Sequence, residues 1–174
     1  MPELRRADTF TVWPQRLVVN EAALAFRWSI YVVRVDLVRH GQPSALKIGM
    51  VGSGTVSQRL RSHDRTFGPT ELLDAWTLSH AVSQLDEDPA WRLVEQYEAR
   101  LQFAAEFVEP SARLRRLRPD SLIYSYEWFE DDARVLEAIE RFAHLPVTLP
   151  HGWTLADATR PTEGPGEARP STLG

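Results

Sequence analysis

The chain has 174 residues, 43% hydrophobic content and a formal net charge of −4, which suffices for one core of ordinary size and leaves any nucleic-acid partner to a local basic patch. It contains no cysteine, which excludes disulfides, thiolate metal sites and cysteine nucleophiles. The first ten residues lack the apolar core of a signal segment and no run approaches about 18 apolar residues, so the expectation is a soluble, cytoplasmic protein without a membrane partner.

In chain order, residues 1–28 read as an N-terminal extension: a short strand at 9–13 stopped by Pro14, then a helical turn over 21–26 capped by Asn20. Residues 30–37 are apolar at nearly every position, the pattern of a covered strand. A polar loop at 38–45 with Gly41 and Pro43 joins them antiparallel to a second strand at 46–51. Gly52-Ser53-Gly54 follows, and Thr55 with Gln58 has capping-box spacing for a helix that ends by Thr66. The glycine turn lacks the third glycine of a dinucleotide fingerprint, Ser57 standing there, and no lysine follows it as a phosphate loop requires.

Residues 70–80 read as a third strand carrying Leu72, Leu73, Trp76 and Leu78. Acids at 86–88 before Pro89 open a long helix, because negative charge and proline both suit a first turn. Its apolar face is Ala90, Leu93, Val94, Tyr97, Leu101, Ala104 and Val108. Four arginines, Arg113, Arg115, Arg116 and Arg118, crowd residues 111–118. Either they form a solvated face or they touch a phosphate backbone. An aromatic strand at 122–129 and a helix opened by Asp131 or Asp132 complete the body, the helix with a stripe of Val135, Leu136, Ile139, Phe142 and Ala143. Pro146 and Pro150 end regular structure, and 146–174 read as a Pro/Gly-rich, disordered tail.

Candidate chemistry gathers on few positions. Nineteen of the 20 basic residues are arginine, and the single lysine is Lys47 on the second strand. Lysine, unlike arginine, can surrender its proton when its surroundings are tuned; a lone lysine also has to fall somewhere. Arg59 and His63 stand four apart on the first helix and therefore share a face. On the long helix, a step of about 100° per residue puts Glu98 at the rim of the buried face and turns Glu95 toward solvent. Glu98 is thus the carboxylate able to reach a site built by the sheet and the first helix, or else a salt-bridged surface side chain.

Taken together, Ser29-Ile30-Tyr31, Lys47-Ile48-Gly49, Arg59 and His63 on a helix, Glu98 on a later helix and Glu127-Trp128-Phe129 before the last one resemble the GIY-YIG nuclease superfamily. The likeness is to the phage-type branch with Lys-Ile-Gly and a terminal Glu-Trp-Phe, and it spans residues 29–145. It implies a small α/β (α+β) domain with a three-stranded antiparallel sheet flanked by helices, plus an extra strand and helix at the C-terminal end. It also implies a divalent-metal phosphodiesterase: an endonuclease using Mg²⁺ or Mn²⁺ on nucleic acid, DNA in preference to RNA.

Under that resemblance Tyr31 is the tyrosine of the first motif, Lys47 the first position of the second, Arg59 the helix arginine and Glu98 the metal ligand. The chemistry of phosphodiester hydrolysis would then have Arg59 clamp the phosphate, Tyr31 or Lys47 orient or deprotonate the attacking water, and His63 act as donor or proton relay. Arg61, Arg65, Arg113, Arg115 and Arg116 would contact the nucleic acid. Ser29 departs from the usual glycine and Lys47 from the usual tyrosine. With little room for a recognition module, a partner protein or a homodimer would supply target recognition. Two further expectations stay open, a nucleic-acid- or protein-binding module that keeps the scaffold without turnover, and a toxin-like enzyme that needs a partner.

Overall fold

The computed structural model describes residues 10–18, 27–108 and 127–148, with 107 and 108 as backbone only. The first half runs β1 (Thr11–Val12), β2 (Gln15–Arg16), β3 (Ser29–Val35), β4 (Ala45–Val51), α1 (Val56–Thr66) and β5 (Thr70–Thr77). The second half runs α2 (Ser79–Val82), α3 (Glu87–Val108), β6 (Trp128–Glu130), α4 (Ala133–Ala143) and β7 (Val147–Thr148). Five strands form one antiparallel sheet in the order β2-β5-β3-β4-β6, and β1 pairs with β7 in a second, two-stranded sheet. The architecture is mixed α+β.

Period-2 alternation along the central strands decides what each face holds. Ile30 and Val32 of β3, with Leu46 and Ile48 of β4, turn to one face and pack with Leu93, Val94, Tyr97 and Leu101 of α3 and Val135 and Ile139 of α4. Full burial of each such side chain stabilises the fold by about 1.5–3 kcal/mol. The Tyr97 hydroxyl donates to Ala143 O at 2.7 Å and ties α3 to α4. Tyr31, Val33 and Val35 of β3 turn to the other face, where Ala75, Trp128 and Val56 complete a smaller cluster against α1.

Helix ends are chemically specified. The Thr55 side chain accepts from Gln58 N at 3.2 Å while Thr55 N donates to Gln58 Oε1 at 3.0 Å, so the capping box closes α1 from both directions. Asp132 caps α4 by accepting from Arg134 N at 2.8 Å. Between β3 and β4 a 3-10 turn at Val38–His40 ends on Gly41 with φ 69°, where a glycine carries no Cβ penalty. One extra residue of β5, Leu73, interrupts its pairing with β3 between Val32 and Val33.

Several expectations are corrected. The expected extra strand, Trp128–Glu130, joins the three as one edge of the sheet, but the other edge is unforeseen: residues 15–16, read as part of an extension, pair with β5 and make the sheet five-stranded. Thr11 and Val12 pair with Thr148 and Val147, so regular structure continues beyond Pro146. The third strand stops at Thr77, because Leu78 N bonds back to Trp28 O and the chain turns into α2. Phe142, assigned to the core stripe of α4, is 38% exposed, and Ala138 is buried instead. The helical turn at 21–26, the aromatic segment 122–126, the arginine run at 111–118 and the tail from 149 lie outside the described residues. Among the described residues no helix is long and apolar enough to cross a membrane.

Candidate active site

Tyr31 leaves β3 toward α1, and its cross-strand partner on β4 is Gly49. A Cβ at Gly49 would come within 3 Å of the hydroxyl end of the phenol, so the glycine is what lets the ring lie across β4. From above, His63 on the buried side of α1 brings Nε2 to 2.9 Å from the Tyr31 hydroxyl. Burial raises the Tyr31 pKa well above the usual phenol value; the Arg59 guanidinium works against the rise, and Glu127 and Glu98 add to it. Burial, with the charges of Lys47 and Arg59, pushes the His63 imidazole down to about 4 against the pull of Glu127 and Asp64. At neutral pH the contact therefore joins a protonated phenol to a neutral imidazole.

Lys47 stands opposite Val33 on β3 and shares its sheet face with Tyr31. It is only 7% exposed. Its ammonium donates to Glu127 Oε2 and lies 5.5 Å from the centre of the Trp128 ring. Glu127 is fixed at the backbone too, since Ile48 N donates to its carbonyl at 2.9 Å.

Glu98 arrives from α3. The Trp91 ring occupies the space a side chain at Gly52 would need, which seats α3 on the end of β4. Seven residues on, about two turns, Glu98 points to the same side as Trp91. It is half-buried, and Glu95 is exposed. Burial raises the Glu98 carboxyl to about 7, with Glu127 and Glu95 adding to the shift and Lys47 opposing it. Its Oε2 is buried and has no hydrogen-bond partner, and one turn further the same is true of Gln102 Nε2.

Charges link the five candidate residues in a chain: Tyr31 feels Arg59 and Glu98, His63 feels Lys47 and Arg59, and Glu98 feels Lys47. Arg59 is exposed on α1, as are Arg61 and Arg65. Arg113, Arg115 and Arg116 lie outside the described residues. Glu127 is the residue whose part the sequence did not disclose: it bonds Lys47 across 80 positions of chain, and only its adjacency to Trp128 within one motif hinted at it.

Among the described residues no three His, Asp or Glu side chains are grouped to cage a metal ion. A hard ion such as Mg²⁺ is often held through one or two carboxylates with water completing its shell. The uncompensated Glu98 Oε2, beside a second carboxylate that disfavours its ionisation, suits a cation held in that sparse way. Comparison of the chain with protein-family models, curated proteins and solved structures gives no match.

Proposed function

We propose that the protein is a metal-dependent endonuclease of the GIY-YIG kind, hydrolysing phosphodiester bonds in nucleic acid, DNA in preference to RNA. The observation that carries this reading is the buried, unpartnered Glu98 Oε2, whose charge acts on the Tyr31 phenol that is bonded to His63. An acceptor withdrawn from water without a partner is costly, and a bound cation would relieve it.

Phosphodiester hydrolysis requires neutralised non-bridging oxygens, an activated water and help for the leaving oxygen. Glu98 would hold Mg²⁺ or Mn²⁺, which when bound supplies Lewis-acid neutralisation of the phosphate. The exposed Arg59 binds the phosphate from α1 and stabilises the charge that grows in the pentavalent state. Tyr31 takes the proton of the attacking water at its oxygen as its own proton passes to His63 Nε2, so a neutral imidazole is the terminal acceptor. Arg61 and Arg65 extend the same helix as a cationic surface for the flanking backbone.

Nicking of supercoiled plasmid in Mg²⁺ or Mn²⁺ tests the reading. Wild type should cleave, EDTA should abolish cleavage, and Glu98→Ala and Arg59→Ala should each remove most of it. Unchanged nicking by both variants excludes these roles.

One observation favours a second reading, a nucleic-acid- or protein-binding module without turnover. The carboxylate nearest in charge to Glu98 already bonds an internal cation, Lys47. DNA retention that persists in EDTA, with no cleavage on long incubation, selects that reading.

A further inference from the structure

We infer that Glu127 is a positioning residue that holds the Lys47 ammonium in place, and that Lys47 serves the site as a fixed cation beside Tyr31 and His63, not as the group that takes a proton from water. This rests on the proposed function and assigns two roles within that site.

Geometry carries the inference. Lys47 is buried on the sheet face that holds Tyr31, with its stem enclosed and its ammonium meeting one carboxylate, Glu127, and one aromatic ring, Trp128. A flexible four-carbon side chain would otherwise sample several rotamers. The carboxylate is held from its own backbone by the Ile48 amide, one residue beyond Lys47, so the ion pair joins β4 to the residue that leads into β6, whose register on β4 is fixed. The side chain of Glu127 is 39% exposed, which puts this end of the pair at the solvent-facing mouth. An amine aimed at a carboxylate is poorly placed to accept a proton from water. It is well placed to add positive charge where phosphate oxygens approach, and its charge already depresses His63.

The sequence supplies an unusual probe, because Lys47 is the only lysine. In protein labelled with ¹³C-lysine, the side-chain Cε–Hε signal belongs to Lys47 without assignment. Its place over the Trp128 ring should displace that signal from the position of a free lysine side chain. In Glu127→Gln the displacement should collapse while the remaining spectrum stays folded; Glu127→Asp should restore part of it.

Cleavage supplies the second arm. Lys47→Arg keeps a permanent cation and should retain activity within about 10-fold, whereas Lys47→Met should lose on the order of 100-fold. A Lys47 signal unmoved by Glu127→Gln overturns the positioning role. Equal loss in Lys47→Arg and Lys47→Met, with an active wild type, overturns the fixed-cation role. A wild type that cuts nothing removes the proposed function, while the lysine signal still decides whether Glu127 positions Lys47.

Discussion

The two faces of the central sheet use the same strands for opposite purposes. Beneath α3 and α4 the inward residues of β3 and β4 are Ile30, Val32, Leu46 and Ile48, an apolar patch that gives way at one end of β3 to Arg34, paired with Glu71 and Asp131. Beneath α1 the alternate residues include Tyr31 and Lys47, with Trp128 beside them and His63 above, so ionisable groups sit inside an apolar wall. One residue step along either strand separates an apolar side chain from an ionisable one, Ile30 from Tyr31 and Leu46 from Lys47. Burial stabilises on the first face and shifts titrations on the second.

That contrast is broken most severely from the apolar side. Ile48→Ala should lower unfolding free energy by about 2–5 kcal/mol, measured by urea denaturation, because a fully enclosed side chain leaves a cavity. Arg59→Ala should do the converse. Cleavage falls by about 10²–10³-fold with the loss of a charge-stabilising donor, while stability changes by less than about 0.5 kcal/mol because the side chain is exposed.

Gly49→Ala disturbs the second face through packing. The new methyl must displace the Tyr31 ring, which should cost about 1–3 kcal/mol and break the contact with His63. Tyr31→Phe is milder, about 1 kcal/mol in the same denaturation experiment, since only the hydroxyl and its bond to Nε2 are lost.

The smallest net effect is in the pH dependence of the wild type, measured in EDTA, because two shifts of opposite sign offset each other. Glu98 has a folded pKa raised from 4.5 to about 7, so the folded state binds more protons and stability is lost as pH rises through that window. His63 has a folded pKa lowered from 6.5 to about 4, so its contribution is present above pH 6.5 and is lost as pH falls toward 4. Between about pH 4.5 and 6.5 the two slopes oppose each other. Glu98→Gln should therefore make stability fall more steeply on acidification, and His63→Gln should make it fall as pH rises. Parallel profiles for the two variants would show that the carboxyl and the imidazole do not titrate as their surroundings dictate.

What could be read from sequence is what is local. The capping box of Thr55 and Gln58, the acidic start of α3 and the Asp132 cap of α4 are encoded within a few residues, and each defines a helix in the structure. The two-residue pairings of β1 with β7 and of β2 with β5 leave no such trace, because Val12 meets Val147 and Arg16 meets Trp76 only once the chain has folded. The site divides the same way. Arg59 and His63 are visible as an i, i+4 pair and Glu98 as a rim position, but a bond between Lys47 and Glu127 has no period and no spacing rule. Gly49 was legible as a motif letter; that it makes room for the phenol became apparent only from the register that sets it opposite Tyr31.

Strand β3 lies in the middle of the five-stranded sheet, laddered along its length to β4 on one side and β5 on the other. Its amides should be among the last to exchange with deuterium, since opening them requires both ladders to separate. The tyrosine is thus anchored on the slowest-breathing part of the protein, while its imidazole partner hangs on an 11-residue helix at the surface. Thermal agitation should part the two by lifting the helix, so the Tyr31–His63 hydrogen bond, and with it the proposed proton path, would disconnect at temperatures where the sheet is still intact.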